Sequence, residues 1–422
     1  MNTGTNRRKF LGGTILALST GPLIISRGAR ATPSNERITL GIIGYGIRSR
    51  NLLGQFLQAE DVQVVAVSEI DSVRLESALN RINGHYGVDS ATGHADFRDL
   101  IARKDIDAIM IGTPDHWHAI PAIMACEAGK HVYCEKPLSL TIAEGRAIAN
   151  AASVSGVSFQ TGSQQRTEYG RRFTRAAEAV RNGRIGKLQR VTVGVGDPAI
   201  PCDLPAEKIP DGIDWTMWNG PSPDRGFSSV LCPVGLHAHY PQWRKYREYA
   251  NGGLADMGAH HFDIAQWAMD MDHSGPVQVL PPRDGSRRGL QFTYADGIVM
   301  EHGGMIDDRF EGTDGWIEVS RAHLRASDPA ILDEVTSSGE LELPRAESHI
   351  SNWLDSIRHG TPTIADAETG HRTATICQLA NIGYQIGRPL QWDPVSERFR
   401  GTDSSLGNTH LARDSNTAWQ DR

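Results

Sequence analysis

Lys136 stands in Glu135-Lys136-Pro137, directly after the apolar run His131–Cys134, and Pro137 restricts the lysine to extended backbone, which helps to aim it. Asp256 and His260 lie four residues apart in a stretch, 256–271, that reads as a helix begun after Gly252-Gly253. That spacing puts both on one face, with Asp263 one turn further along, while His261 points about 100° away. A lysine, a carboxylate and an imidazole brought together form an acid/base set. Hydride loss from a secondary alcohol requires such a set, because the hydroxyl proton must leave as the carbonyl forms. The plainer alternative makes Asp256 a helix cap and His260 a satisfied core histidine. Gln164, Gln165 and Arg166 follow a strand pattern at Val157–Thr161 and are candidate donors to ligand hydroxyls, with structural roles equally open. The pairs His116/His118, His237/His239 and His260/His261 lack a clear third and fourth ligand, so no metal is expected, and no G-x-S-x-G elbow supports a serine hydrolase.

These groups need elements to position them. Ile38–Ile43 is an apolar run of buried-strand type, followed by Gly44-Tyr45-Gly46 and a helical pattern that begins near Ile47 and places Leu52, Leu53, Phe56 and Leu57 on one face. Strand, glycine turn and helix is the order of a dinucleotide site. Gly44 permits the turn, Gly46 lets a pyrophosphate approach the backbone, and the helix amino terminus offers unpaired N–H groups. The third glycine position holds Ser49. The next strand, Val62–Val67, ends in Ser68-Glu69, a carboxylate 23 positions after Gly46. It suits ribose hydroxyls and repels a 2′-phosphate, so NAD is favoured over NADP. Further runs, Ile106–Ile111 and His131–Cys134, lead into Gly112-Thr113-Pro114 and the Glu135-Lys136-Pro137 turn. Ligands of open α/β sheets bind at such strand ends.

With these residues in place, the chain resembles the Gfo/Idh/MocA oxidoreductases. The resemblance rests on Gly44-Tyr-Gly46, on Thr113-Pro-Asp-His-Trp-His118 (the family's T-P-N-x-x-H, with Asp for Asn), on Glu135-Lys136-Pro137, and on Gly252-Gly-Leu-Ala-Asp256-Met-Gly-Ala-His260. Asp214-Trp215-Thr-Met-Trp218-Asn-Gly220-Pro221 and Gly370-His371-Arg372-Thr-Ala-Thr are similar to a bacterial branch rich in exported members. The resemblance implies an α/β Rossmann domain, 32–160, followed by an α+β domain, 161–396, with a large, mostly antiparallel open sheet often used for oligomerisation. It also implies that Lys136 contacts the reacting hydroxyl, that His260 takes or gives the proton, and that Asp256 orients the substrate or tunes the imidazole. Gly44, Tyr45, Gly46, Ile47, Arg48, Glu69, Thr113, Pro114, Trp117, His118, Glu135 and Lys136 would hold the cofactor, with His118 beside the nicotinamide. Gln164, Arg166, Asp256 and His260 would meet the substrate. Strand candidates follow at Leu188–Val195, Gly289–Tyr294, Ile298–Glu301 and Trp316–Val319, and helical patterns at Tyr169–Arg181, Ile350–Arg358 and Thr373–Ile386. Residues 397–422 read as a polar tail that orders only if it docks.

Composition limits the ligand. The 422 residues are 39% hydrophobic and 22% charged, with a formal charge of −7. The first 31 residues hold five basic and no acidic side chains, leaving 38 basic against 50 acidic residues, a net of −12, in the remainder. So acidic a body is a poor partner for nucleic acid or anionic membrane and points to a small molecule. Five cysteines without CxxC spacing indicate neither a disulfide framework nor a zinc site. Residues 1–31 have a basic start, an interrupted apolar stretch and Ala29-Arg30-Ala31; Asn6-Arg7-Arg8-Lys9-Phe10-Leu11 resembles a twin-arginine signal. The expectation is folded export to the periplasm, removal of the signal and no membrane span in the mature form. The functional expectation is an NAD-dependent oxidoreductase of a sugar or polyol that keeps its cofactor through turnover, and forms a homo-oligomer through the second sheet. A redox-neutral glycosidase working by transient oxidation and elimination is the first alternative, and a non-catalytic dinucleotide-binding scaffold the second.

Overall fold

Two sheets carry the chain, and they differ because their strands are buried differently. The computed structural model describes residues 37–304, 307–333 and 339–413; the export signature lies outside them. The amino-terminal unit alternates strand and helix: β1 (Ile38–Ile43), α1 (Ile47–Gln58), β2 (Val62–Ser68), α2 (Ser72–Tyr86), β3 (Thr92–His94), α3 (Phe97–Ile101), β4 (Ala108–Ile111), α4 (Ala119–Glu127), β5 (His131–Cys134), α5 (Ile142–Ser155) and β6 (Phe159–Thr161). All six strands are parallel, in the order β3-β2-β1-β4-β5-β6. A parallel sheet covered on both faces demands continuous apolar strands, which is why the runs at β1, β4 and β5 were readable. The strand order reverses between β1 and β4, where a ligand crevice opens.

The second unit follows: α6 (Arg172–Arg181), β7 (Leu188–Val193), then an excursion, 194–251, whose only α-helix is α7 (Trp215–Asn219), and α8 (Gly252–Ala268). Short strands β8 (Gln278–Leu280), β9 (Leu290–Thr293), β10 (Val299–His302), β11 (Asp308–Gly312), β12 (Trp316–Val319) and β13 (Leu324–Ala326) precede α9 (His349–His359) and α10 (Ala367–Ile386). β14 (Leu390–Asp393), β15 (Arg398–Arg400) and α11 (Ser404–Asn408) close the chain. The sheet order is β13-β12-β11-β7-β10-β9-β8-β14-β15, antiparallel except for β7 with β10. This is the expected Rossmann sheet and large, mostly antiparallel sheet.

Several expectations need correction. The helix predicted over Tyr169–Arg181 starts at Arg172, because Tyr169, Gly170 and Arg171 take left-handed backbone in a 3₁₀ turn. The helix placed over 256–271 starts four residues earlier, at Gly252, so Asp256 lies inside it and is no cap. α10 starts at Ala367 rather than Thr373, with the Asp366 side chain accepting from the Thr369 N–H. β3, β8, β11, β13, β14 and β15 escaped the sequence reading because they are three to five residues long, too short to show a pattern of their own. A clean boundary at 160/161 also fails to describe the packing: α9 returns to the first sheet, where Trp353 lies edge-on against Phe56 and Tyr133 at 5.9 and 5.6 Å.

The supposed tail, over its described residues 397–413, begins with a strand of the second sheet. β15 pairs with β14, and Phe399 packs against Trp392. Glu397 accepts from Arg146 of α5 at 2.7 Å and from His371 of α10 at 2.6 Å, while Glu368 accepts from Arg146 at 2.6 Å and Arg372 at 2.7 Å. Burial pushes both carboxyls up, but these hydrogen bonds and charges outweigh it and hold each at about 2. Groups so depressed stabilise the fold fully above their ordinary 4.5 and lose that contribution as pH falls towards about 2. The urea midpoint should therefore drop across this window, and Glu397→Gln should start lower at neutral pH and drop less.

Candidate active site

The crevice between β1 and β4 is a cavity of about 440 Å³ walled by the glycine turn, the loops after β2, β4 and β5, the start of α8 and part of the excursion. At its cofactor end Gly44 has φ +82, and a Cβ there would meet Gly112 O and Thr113 N at 3.1 Å, so glycine is required twice over. Gly46 heads α1, which has no side-chain cap and no acidic residue in its first turn. A Cβ on Gly46 would meet nothing within 4 Å. The space in front of these amides suits a pyrophosphate. Ser49 at the third glycine position is buried against Gly112, its hydroxyl 3.2 Å from Gly112 O, and a Cβ on Gly112 would lie 2.1 Å from that hydroxyl. The close helix–strand approach is thus kept by moving the missing side chain from helix to strand.

Glu69 lines the cavity and braces the turn: Oε2 accepts from Tyr45 N at 2.7 Å, and Oε1 from Ile70 N and Asp71 N at 2.8 and 3.1 Å. Tyr45, Ile47, Thr113, Pro114 and Trp117 also line it. Trp117 anchors its indole N–H on Trp218 O at 3.0 Å. Glu135 works as a hub, accepting from Arg48 at 2.8 Å and from Gln164 at 2.9 Å; the Gln164 amide also meets the Tyr133 hydroxyl. Arg48 and Gln164 reach the cavity wall through that hub.

Lys136, before a cis peptide to Pro137, donates from Nζ to Asp256 Oδ1 at 2.9 Å and to Asp256 O at 2.6 Å. Arg244 approaches the same Oδ1 at 3.4 Å and lies over the Trp243 and Tyr240 rings. Burial pushes the Asp256 carboxyl up, but the Lys136 and Arg244 charges overcome it and hold the group below its ordinary value. One turn on, His260 is buried, with Nδ1 lacking a hydrogen-bond partner. Burial first, then the charges of Lys136, Arg321 and Arg48 and the neighbouring His261, hold it well below its ordinary value. It is a neutral imidazole beside a lysine. The Thr113 hydroxyl is a second buried polar group at this wall without a partner.

Four residues singled out in the sequence, His118, Arg166, Asp263 and Gln165, do not line the cavity. His118 does not line the cavity: its ring is wedged between Pro137 O at 2.7 Å and Thr113 O at 3.0 Å, linking the loops that carry Lys136 and Thr113. Arg166 is 2% exposed and is consumed by paired contacts of 2.8 Å to Asp263 and Asp272 over the Trp267 ring. It cannot also bind substrate without abandoning two carboxylates. Asp263, expected to continue the polar face towards the site, is Arg166's partner inside the core. Gln165 joins Arg321 to His260 O and so steadies the His260 turn of α8. Among the described residues the one group placed to share a cation is Asp307, Glu318 and His323 on the second sheet, which includes none of the three histidine pairs.

Sequence reading missed Arg244, Arg321 and the excursion's return over the cavity; Arg244 sits in Gln242-Trp-Arg-Lys-Tyr-Arg247, which carries no periodic signal. That return is tied down. Asp71 accepts from Gly235 N at 2.6 Å, and Arg74 donates to Gly235 O at 2.9 Å and meets His237 Nε2 at 3.0 Å. Pro233, His237 and Tyr240 form cavity wall above the Glu69 end.

Comparisons with known proteins agree with this architecture. Residues 38–163 match the model for an oxidoreductase family, NAD-binding Rossmann fold, and residues 200–420 match that for an oxidoreductase family, C-terminal alpha/beta domain. A glycosyl hydrolase family 109 protein of Shewanella baltica is 31% identical over 159 residues, 37% of this chain and 34% of the relative. The chain thus spans about a third of the length of the curated relatives it matches. Among solved structures, the aldose-aldose oxidoreductase of Caulobacter crescentus, complexed with glycerol, superposes with TM-score 0.59 at 19% identity, covering 84% of this chain and 99% of that one. The WlbA dehydrogenase of Bordetella pertussis, in complex with NADH and UDP-GlcNAcA, gives 0.61 at 16%, covering 85% and 99%. These two likenesses establish the fold.

The cofactor of this Rossmann domain is NAD, and the residues fit it: an open, uncapped helix start, a glycine with free space where phosphate approaches, and a carboxylate at the ribose position. Because Gly46 has open space before it and extended backbone, Gly46→Ala should leave the thermal midpoint unchanged while weakening NAD binding at least about tenfold, measured by calorimetric titration of stripped protein.

Proposed function

Because the chain belongs to the Gfo/Idh/MocA oxidoreductase family, we propose that it oxidises a hydroxyl-bearing carbon of a carbohydrate or polyol and retains its NAD between turnovers. The observation that carries this reading is the Lys136–Asp256 pair one helical turn from the neutral, unpartnered His260, all on the cavity wall. When bound, NAD accepts the hydride. Lys136, oriented by Asp256, donates a hydrogen bond to the reacting hydroxyl oxygen and favours its loss of a proton. The neutral His260 imidazole, which lines the cavity, takes that proton. Arg244 keeps Asp256 ionised, so that the lysine stays aimed after its partner is desolvated by substrate.

Retention is supported by the 233–240 segment, which α2 ties over the adenosine end through Asp71 and Arg74. It also gives the export signature a purpose: folded export lets the cofactor travel bound into a compartment with no obvious exchange pool. A second reading, redox-neutral glycoside cleavage by transient oxidation, is favoured by the name of the Shewanella relatives. Both readings require the same retained cofactor.

Mass analysis of nucleotide released by denaturing the mature, exported protein should find near-stoichiometric NAD(H); protein that is empty and fails to rebind NAD would overturn retention. Lys136→Ala should lower turnover at least about a hundredfold, and unchanged turnover would remove its role. Since the Lys136 charge is one cause of His260's depression, the acid limb of the residual pH–rate profile should move upward in this variant.

A further inference from the structure

Asp115 is the acidic residue of the Thr113–His118 motif that neither the hydride step nor the cofactor contacts use. It opens the 3₁₀ turn Asp115–Trp117 after β4, so it projects from the first domain, whereas Asp256 and His260 project from α8 of the second. It lines the same cavity as Lys136, Asp256 and His260, yet is only 6% exposed. Its neighbour Asp256 holds both nearby cations, Lys136 and Arg244, while Asp115 makes no ion pair among the described residues. Nor does its carboxyl receive a hydrogen bond from another residue in the contacts described. A buried carboxyl left without a cation beside two, Lys136 and Arg244, that pair with its neighbour is an arrangement suited to a neutral acid rather than a structural anion.

We propose that Asp115 is a second proton-transferring group of this site, the general acid that protonates the departing oxygen of a glycoside. The proposal rests on the glycoside-cleavage reading and deepens it by assigning the acid. Oxidation of an alcohol moves one proton, which His260 accounts for. Elimination next to the new carbonyl moves two. Once His260 has passed the hydroxyl proton to water, it removes the C–H proton beside the carbonyl; that electron pair becomes the C=C bond, the C–O bond to the leaving group breaks, and its electron pair on oxygen takes the Asp115 proton. Water then adds across the C=C bond, giving its proton to Asp115 while His260 returns one to carbon, and the hydride returns to the carbonyl carbon as the oxygen regains a proton from water through His260, restoring the sugar without net redox change. Burial, against the opposing charges of Arg244 and Lys136 and assisted by Asp256, pushes the Asp115 carboxyl up to about 8, so the proton is present near neutral pH. Asp115 and His260 supply acid and base from two walls of one cavity.

The test is Asp115→Asn, which restores the residue type of the family motif, assayed with matched para-nitrophenyl and methyl glycosides of the common hexoses. A methyl leaving group needs the acid and para-nitrophenolate does not, so methanol release should fall about 10²- to 10⁴-fold while nitrophenol release falls at least about a hundredfold less. That ratio is taken within one preparation and is insensitive to the folded or loaded fraction. Equal losses for both glycosides, or methanol release at the parent rate, would overturn the acid role. If the parent protein oxidises the glycosides, seen as reduced nicotinamide absorbance, but releases neither aglycone, the cleavage reading itself falls and Asp115's role with it. That failure is distinguishable because it is seen in the parent before any substitution.

Discussion

The candidate site depends on a contact between the two domains, from Lys136 Nζ to the side chain and backbone oxygen of Asp256. The lysine belongs to the loop after the fifth parallel strand and the aspartate to α8 of the antiparallel domain. A cavity walled by both domains has a defined shape only if they are fixed to each other, and this pair fixes them where the chemistry is done. The pair is partly buried, so its attraction is little screened, yet each member would be costly to leave alone. Arg244, stacked on Trp243, supplies a second cation to the same oxygen and makes the aspartate's ionisation secure. The rest of the site follows from that arrangement. Burial first, and then the lysine's charge held close, keep His260 neutral, and a neutral imidazole is a proton acceptor.

Around this pair the carboxylates divide their work according to what each can bond. Glu69 takes three backbone N–H groups and shapes the glycine turn; Glu135 collects Arg48 and Gln164 and stiffens the loop that carries Lys136. Asp263 is spent on Arg166 in the core. Asp115 has none of these partners. Pocket carboxylates cannot be assigned function by proximity alone, because most of them are structural anions whose removal would loosen the wall.

Much of the first domain was legible because a two-face-buried parallel strand must be apolar throughout and a strand–glycine–helix turn admits few residues. The starts of β1 and α1, and the placing of Lys136 after β5, came from that constraint. His118 and Arg166 misled for a common reason: a polar residue beside a motif was read as facing the ligand, when it was satisfying carbonyls or carboxylates in the interior. Nothing in a single sequence distinguishes those directions, since the partners, Thr113 O with Pro137 O and Asp263 with Asp272, are fixed only by tertiary packing. The carboxyl-terminal strands were missed because pairing, not propensity, makes them strands. β15 is Arg398-Phe399-Arg400, and only Phe399 against Trp392 gives it a buried side.

Ser49 shows how a departure from a motif can be read as physics. The third glycine of a dinucleotide turn exists so that helix and strand can approach, which is a demand on the pair of surfaces and not on one residue. Here Gly112, at the end of the neighbouring strand, gives up the side chain instead, and the Ser49 hydroxyl bonds its carbonyl. The imperfect fingerprint and the unassigned glycine two motifs away are therefore one feature. The same logic extends to the excursion: Gly220, at φ +48, leaves room for the Trp117 ring, within 2.1 Å of where its Cβ would stand. That glycine lets a segment with little regular structure close against the cofactor cavity.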